Sequence, residues 1–276
     1  MIARRLTIVA LLSLGIIGSW PVVVASAEET LEAENIPFSF EGAFGLFDRA
    51  QLQRGFQVYS QVCSSCHSLN LLHYRNLGDR GGPDFPEMQV KAIAAMVEVE
   101  DGPNDEGEMF TRPGAPSDPF VKPFPNEKAA RAANGGALPP DLSLITKARE
   151  GWRGTFRQLV DGIGGPEYVH AVLTGYREKP ENVPEGPAGK YYNPYFSAGP
   201  WISMPPPLSD GLVEYTDGTA SSVDQMARDV AAFLAWAGEP KMERRKSLGF
   251  RVLVYIVILA TLLFLTKNRV WSRIEH

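Results

Sequence analysis

Two cysteines separated by two residues, with a histidine directly after the second, leave this chain little freedom in how it folds: Cys63-Ser64-Ser65-Cys66-His67. At this spacing each thiol can add across one vinyl group of a haem, giving two thioether bonds. The histidine that follows then supplies one axial nitrogen to the iron. A CxxC pair can also be a redox dithiol or half of a zinc site. A redox dithiol needs no histidine at the next position. A zinc site needs more thiol or imidazole ligands than the chain has left. Cys63 and Cys66 are its only cysteines, and His73, His170 and His276 its only other histidines. The motif therefore predicts one covalently attached haem c, held by Cys63 and Cys66 and ligated by His67. With both cysteines consumed, no disulfide is possible.

Residues 1–27 read as a secretory signal peptide. Arg4 and Arg5 form a positive start, residues 6–24 are mostly apolar, and Ala25-Ser26-Ala27 is a small-residue cleavage site before Glu28 and Glu29. A retained N-terminal anchor is the alternative; Pro21 and the cleavage site favour removal. Haem attachment to such a motif is completed on the far side of the membrane from the cytoplasm, so signal and motif agree. A second apolar segment, residues 249–266, reads GFRVLVYIVILATLLFLT. That is roughly the length of a bilayer-spanning helix. Arg251 lies near its first turn and can snorkel outward. Thr261 aside, residues 252–265 offer no polar face, which argues against a buried core helix. Lys241, Arg244, Arg245 and Lys246 precede the segment and Lys267, Arg269 and Arg273 follow it, so charge bias does not orient it. Export of the N-terminal region does, and leaves residues 267–276 as a cytoplasmic tail.

Residues 28–246 then form one exported domain with insertions. With 26 glycines and 22 prolines in the chain, much of it reads as loop. The net charge of −5 gives no support for nucleic-acid binding. Two helices bracket the loops. Asp48 is a candidate N-cap for a helix through Val62, with Leu52, Gly55, Phe56 and Tyr59 on one side. The other runs from about Ser222 to Ala237, with Val223, Met226, Val230, Phe233 and Leu234 on its apolar face and Gly238 and Pro240 ending it. In c-type cytochromes a helix leading into the motif crosses a C-terminal helix, a glycine meeting an aromatic ring. Gly55 against Phe233 or Trp236 would fill those roles. The fold class expected is mainly α: a c-type cytochrome fold with long loop insertions and one C-terminal transmembrane helix.

A sixth ligand decides what such a haem does. Methionine raises the reduction potential and fills the iron, histidine lowers the potential, and an empty position suits ligand binding or peroxide chemistry. Met1 lies in the signal, Met242 at the membrane edge and Met226 on a helix face, while Met88, Met96 and Met109 surround an acidic stretch. Met204 remains, followed by Pro205, Pro206 and Pro207, which lower the entropy cost of holding a loop over the haem. Its rival is His73, which would have to loop round the haem edge only six residues past His67. The acidic stretch itself, Glu98, Glu100, Asp101, Asp105, Glu106 and Glu108, has no interleaved base. It is either a solvated loop or a docking field that steers a basic soluble cytochrome c. Gly162-Ile163-Gly164-Gly165 lacks the spacing of a dinucleotide loop, and no zinc-protease or phosphate-loop motif is present.

An ordered series of segments resembles the cytochrome c1 family, the membrane-anchored haem subunit of cytochrome bc1 complexes. It runs from Arg54-Gly55-Phe56-Gln57-Val58-Tyr59 into the cysteine motif and on to Tyr74-Arg75-Asn76-Leu77. Asn134-Gly135-Gly136-Ala137-Leu138-Pro139-Pro140-Asp141-Leu142 and Leu173-Thr174-Gly175-Tyr176 follow, then Tyr192-Asn193-Pro194-Tyr195-Phe196, Met204-Pro205-Pro206 and Phe233-Leu234-Ala235-Trp236. The resemblance implies that His67 and Met204 ligate the iron. It implies that Asn134, Pro140, Leu142, Tyr168 and Phe196 line the haem pocket, and that Arg149 contacts a haem propionate. Some bacterial relatives carry an extra disulfide near the methionine side, for which this chain has no cysteine, and Tyr176-Arg177 stands where mitochondrial relatives place one. The implied function is passage of one electron from the Rieske iron–sulfur protein through haem c to a soluble c-type cytochrome, in respiration or photosynthesis. Quinol oxidation is left to partners including cytochrome b, so the chain is not catalytic alone. The implied setting is a dimeric complex in the bacterial inner membrane, the haem domain periplasmic. Two other readings are a membrane-tethered haem enzyme with an open sixth iron site and a free-standing membrane-anchored cytochrome shuttle. Carbon monoxide binding discriminates the first, and purification without cytochrome b the second.

Overall fold

Asp48 starts the helix that carries the motif. Its backbone is extended, and its carboxylate accepts from the N–H groups of Ala50 and Gln51, satisfying donors that the first turn leaves open. Helix α1, Arg49–Gln61, buries Leu52, Gly55, Phe56, Val58 and Tyr59, as its periodicity predicts. In this computed structural model, which describes residues 31–149, 151, 162 and 164–272, α1 runs into a 3-10 turn over Cys63–Ser65. The expected signal peptide, residues 1–27, and residues 273–276 of the expected tail lie outside the described residues.

Short elements follow: α2, Glu87–Ala94; a hairpin of β1, Glu98–Asp101, and β2, Phe110–Pro113; α3, Glu127–Ala133; α4, Ile145–Ala148; and α5, Gly165–Thr174. A second hairpin pairs β3, Tyr191–Tyr192, with β4, Trp201–Ile202. Helix α6, Val223–Gly238, begins at Ser222, whose hydroxyl accepts from Gln225 N–H. It is buried on more than the one face expected. It is sandwiched between α1 on one side and α4 and α5 on the other, and the small side chains of Ala227, Ala231, Ala232, Ala235 and Ala237 let both sides approach.

The contact of α1 with α6 organises the core. A Cβ on Gly55 would lie 2.0 Å from the Asp229 carbonyl oxygen and 2.7 Å from Phe233 Cβ, so the two helices touch backbone to backbone. Phe233 therefore takes the role expected of it. Trp236 does not face Gly55; its ring lies over Gly82, where an added Cβ would be 2.7 Å from Trp236 Nε1. Beside the crossing, the fully buried Asp229 accepts from Arg54 Nε at 2.9 Å and from Gln225 Nε2 at 2.9 Å, while Arg54 also reaches Asp217 at 2.7 Å. A buried carboxylate is tolerated only with such partners. Phe56, Tyr59, Tyr74, Phe120 and Phe233 complete a ring cluster in which Tyr74 and Phe120 stack at 4.6 Å.

The acidic run is not an irregular loop. Glu98 pairs with Pro113 and Asp101 with Phe110 across β1 and β2. The connecting turn is held by Asn104, whose side-chain oxygen accepts from Glu106 N at 3.0 Å and Glu108 N at 2.9 Å. Folding also supplies the base the linear sequence lacks: Arg112 bonds to Asp101 and, at 2.7 Å and 3.0 Å, to Asp118.

Helix α7, Met242–Trp271, extends past the apolar segment 249–266 at both ends. Its 30 residues reach roughly 45 Å at about 1.5 Å each, more than a bilayer core of about 30 Å. Its most apolar window has a mean hydropathy of 2.5 and is unburied, so it is long and apolar enough to cross a membrane. Its first turns pack against the rest of the fold. Met242 is buried, Glu243 accepts from Phe47 N and from Arg49 at 2.8 Å and 2.7 Å, and Lys246 Nζ donates to the carbonyls of Phe40 and Gly45. The architecture is mostly helical with one long apolar C-terminal helix, as expected.

Candidate haem site

The 3-10 turn winds the motif tightly. Cys66 N and His67 N both donate to the Cys63 carbonyl, at 3.1 Å and 2.9 Å, so one turn presents both cysteines and the histidine. Both cysteines are free and part-buried. His67 Nδ1 lies 2.8 Å from the Pro140 carbonyl oxygen. A carbonyl only accepts, so Nδ1 carries the proton and Nε2 keeps a lone pair. Burial pushes the imidazole below its ordinary value, against a smaller upward pull from the Pro140 carbonyl, so His67 is neutral at pH 7. The His67 carbonyl in turn accepts from the Tyr59 hydroxyl at 3.1 Å.

Pro140 is held in place by its neighbour. The Asp141 carboxylate accepts from Ser68 Oγ at 2.7 Å, Asn70 N at 2.8 Å and Ser143 N at 2.9 Å, and Leu142 N donates to the Ser68 carbonyl at 2.9 Å. Burial pushes the Asp141 carboxyl up, but these donors outweigh it and hold it below its ordinary value. The motif, Pro140 and the buried Leu142 thus form one unit. Sequence reasoning passed over Asp141, although an Asp two residues before a Ser and directly after Pro-Pro is a turn signal.

On α5, the Tyr168 hydroxyl donates to Ser197 Oγ and accepts from Ser197 N, both at 3.2 Å, which brings Tyr168 to the turn that carries Phe196. The Arg149 guanidinium stands over the Tyr168 ring, 5.8 Å from its centroid. Three residues named by the resemblance are thereby brought together. Asn134 ends α3 and donates through Nδ2 to the Ala130 carbonyl at 2.7 Å; Gly135 and Gly136 follow with φ of 59° and 89°, which turns the chain away from the helix. Met204 lies two residues past β4, part-buried, and its carbonyl accepts from the Tyr176 hydroxyl at 3.1 Å. From sequence, Tyr59 stands on the inner side of α1 and Tyr176 where mitochondrial relatives have a cysteine; neither position signals a bond to a ligand residue's carbonyl. His73 opens a turn of its own: its backbone bridges to Pro119 and its N–H donates to Asn76 Oδ1 at 2.9 Å.

These residues fit a haem on the chemistry of the donor set. One turn offers two thiols and a neutral imidazole whose tautomer leaves Nε2 to bind iron. Prolines, Leu142 and the Tyr168 ring supply apolar surface, and Arg149 a guanidinium suited to a carboxylate. Of the acidic run, Glu98, Glu100, Asp105, Glu106 and Glu108 are exposed, while Asp101 is engaged by Arg112.

Comparison with known proteins covers most of the chain. The family model of the Cytochrome C1 family matches residues 38–274. A cytochrome b/c1 protein of Bradyrhizobium diazoefficiens is 54% identical over 243 residues, covering 85% of this chain and 35% of that protein, so this chain spans about a third of its length. Cytochrome c1 of Rhodospirillum rubrum is 46% identical over 255 residues, covering 87% of each chain. Cytochrome c1 of Cereibacter sphaeroides is 43% identical over 295 residues, covering 99% of this chain and 97% of that one.

Proposed function

The chain belongs to the cytochrome c1 family, and from that premise we propose that it is the haem-bearing electron-transfer subunit of a cytochrome bc1 complex. In this reading one haem c is attached through Cys63 and Cys66 and ligated by His67 and Met204. Asn134, Pro140, Leu142, Tyr168 and Phe196 line its pocket, and Arg149 pairs with a propionate. The haem, when bound, supplies a one-electron couple. With it in place, the chain would pass one electron from the Rieske iron–sulfur protein to a soluble c-type cytochrome. Cytochrome b carries out the quinol chemistry beside it, within a dimeric assembly. Helix α7 anchors the domain in a bacterial inner membrane, haem side periplasmic and C-terminus cytoplasmic, after a signal peptide at 1–27 has been removed.

The observation that carries this reading is the bond from His67 Nδ1 to the Pro140 carbonyl. It fixes ring orientation and tautomer and makes Nε2 the basic nitrogen, as an iron ligand requires. What this chain's residues do is hold both ligand loops still. Pro140 and Tyr59 grip His67 by ring and carbonyl, and Tyr176 grips Met204 by its carbonyl. Loops held in this way would keep His67 and Met204 positioned for a bound haem, which suits a one-electron carrier. Carbon monoxide tests it: the reduced protein should keep its spectrum under the gas. A shift would favour the tethered haem enzyme with an open iron. Purification of the full chain together with cytochrome b and the Rieske protein separates the complex subunit from a free-standing shuttle.

A further inference from the structure

Where the preceding fold meets α7, four large apolar side chains are exposed. Phe44 is 75% exposed, Leu46 57%, Leu248 54% and Phe250 52%. Scattered apolar residues at a surface need no explanation, whereas a contiguous group does. Two of these four meet directly: the Phe44 ring packs edge-on against the Phe250 ring, centroids 5.6 Å apart at 71°. Phe44 and Leu46 also cannot turn inward, because their loop is tied to the helix. Lys246 Nζ donates to the Phe40 carbonyl at 2.6 Å and the Gly45 carbonyl at 3.1 Å, one bond at each end of the loop. Directly after the loop, Phe47 N donates to Glu243 at 2.9 Å, and Arg49 clamps the same carboxylate. A Cβ on Gly45 would lie 1.9 Å from the Glu41 carbonyl oxygen, so the loop is wound closely on itself.

The height of this shelf along α7 is therefore fixed. Phe250 lies about 6 Å beyond Lys246 at about 1.5 Å per residue, where the apolar run of α7 begins. Arg244 and Arg251, both exposed, flank the same level. Aromatic rings and cationic side chains beside a span are the composition of a membrane–water interface. We propose that Phe44 and Leu46, together with Leu248 and Phe250, sit in the interfacial layer of the bilayer that α7 crosses. The soluble part then rests on the membrane at a second point instead of swinging on one helix, and its height and tilt above the lipid are set. This rests on reading α7 as a membrane anchor.

The test is a nitroxide at position 44, through Phe44→Cys, in the haem-loaded full chain within its purified complex, in nanodiscs of phosphatidylethanolamine and phosphatidylglycerol. The motif thiols are thioethers in that form and do not react. Leu46→Cys is the second site, Leu259→Cys the control inside the span and Glu106→Cys the aqueous control. Collisions with oxygen report lipid, and collisions with a neutral nickel chelate report water. The expected result at 44 and 46 is oxygen favoured over nickel, with nickel access several-fold below that at 106. Nickel access equal to that at 106 would place the patch in water and overturn the proposal. So would an immobilised label reached by neither reagent, which would mean that another subunit covers it. An aqueous reading at 259 would instead remove the anchor and the proposal with it.

Discussion

Tyr59 and Tyr176 place one hydroxyl each on the carbonyl of a proposed iron ligand, His67 and Met204, both at 3.1 Å. Tyr176→Phe keeps the ring and removes the donor. The loss should be about 0.5–1.5 kcal/mol for a net hydrogen bond, set against the hold on a single loop. Covalent haem should remain, while the methionine–iron charge-transfer band should weaken at lower temperature than in the wild type and the reduced protein should begin to bind carbon monoxide. An unchanged band and unchanged indifference to the gas would leave Tyr176 no part in holding Met204. Met204→Leu is the sharper lesion. It should keep the attached haem, abolish the band and lower the reduction potential, and persistence of the band there would sink the ligand assignment itself. The two variants thus separate the ligand from its support. The grouping of Cys63, Cys66 and His67 on one turn was legible because they are neighbours in sequence. Tyr59 and Tyr176 were not: their bonds reach carbonyls 8 and 28 residues away, and a tyrosine on an apolar helix face or in a loop reads as packing.

At the scale of elements, the close contact of α1 and α6 should be sensitive to one methyl group. Gly55→Ala would place its Cβ 2.0 Å from the Asp229 carbonyl oxygen, a backbone atom that can move only with α6 itself. Overpacking of this kind costs about 1–3 kcal/mol and sometimes more, so thermal unfolding should begin several degrees earlier. A wild-type melting curve for that variant would mean that the helices do not meet there. The starts of both helices were legible, one from its cap Asp48 and the other from an apolar pattern that begins after Ser222, and the glycine–aromatic pairing followed from the way helices cross in c-type cytochromes. The acidic hairpin was illegible for a physical reason. Its strands are rich in residues with poor strand propensity, and what closes it is Arg112, opposite Asp101 only once the chain has folded. Hydrogen bonds from Arg112 hold the Asp118 carboxyl down at about 2, and Arg112 with the Gly102 N–H holds Asp101 below its ordinary value. Since both folded values are depressed, the stabilisation is full above the ordinary carboxylate range and fades as pH falls through about 2. Amide exchange in β1 and β2 should accelerate on acidification ahead of exchange in α1 and α6; equal acceleration would show that the Arg112 pairs do not hold the hairpin.

For the molecule as a whole, the packed fold does not end where α6 does. A chain terminated after Ser247 should be soluble, haem-loaded and as stable as the full domain. One terminated after Gly238 loses the burial of Met242, worth about 1.5–3 kcal/mol, and the grip of Arg49 on Glu243, and should melt earlier. Equal stability of the two would detach the start of α7 from the domain. The charge pattern is also a whole-molecule property. The protein carries a net charge of −5, and five exposed acids, Glu98, Glu100, Asp105, Glu106 and Glu108, are concentrated on one hairpin. Such a field attracts a basic partner over a range set by salt, about 10 Å near 0.1 M. Neutralising those five while keeping Asp101, which Arg112 needs to hold the strands together, removes the field without unfolding its support. The second-order rate of electron transfer to soluble cytochrome c should then fall at low salt and lose most of its salt dependence, with the haem spectrum unchanged. If rate and salt slope both stay at wild-type values, the hairpin is a solvated arm and the partner docks elsewhere. Steering acts before contact, so the rate at saturating partner should be the same in both proteins. A loss there would mean that the hairpin shapes the bound complex rather than the approach to it.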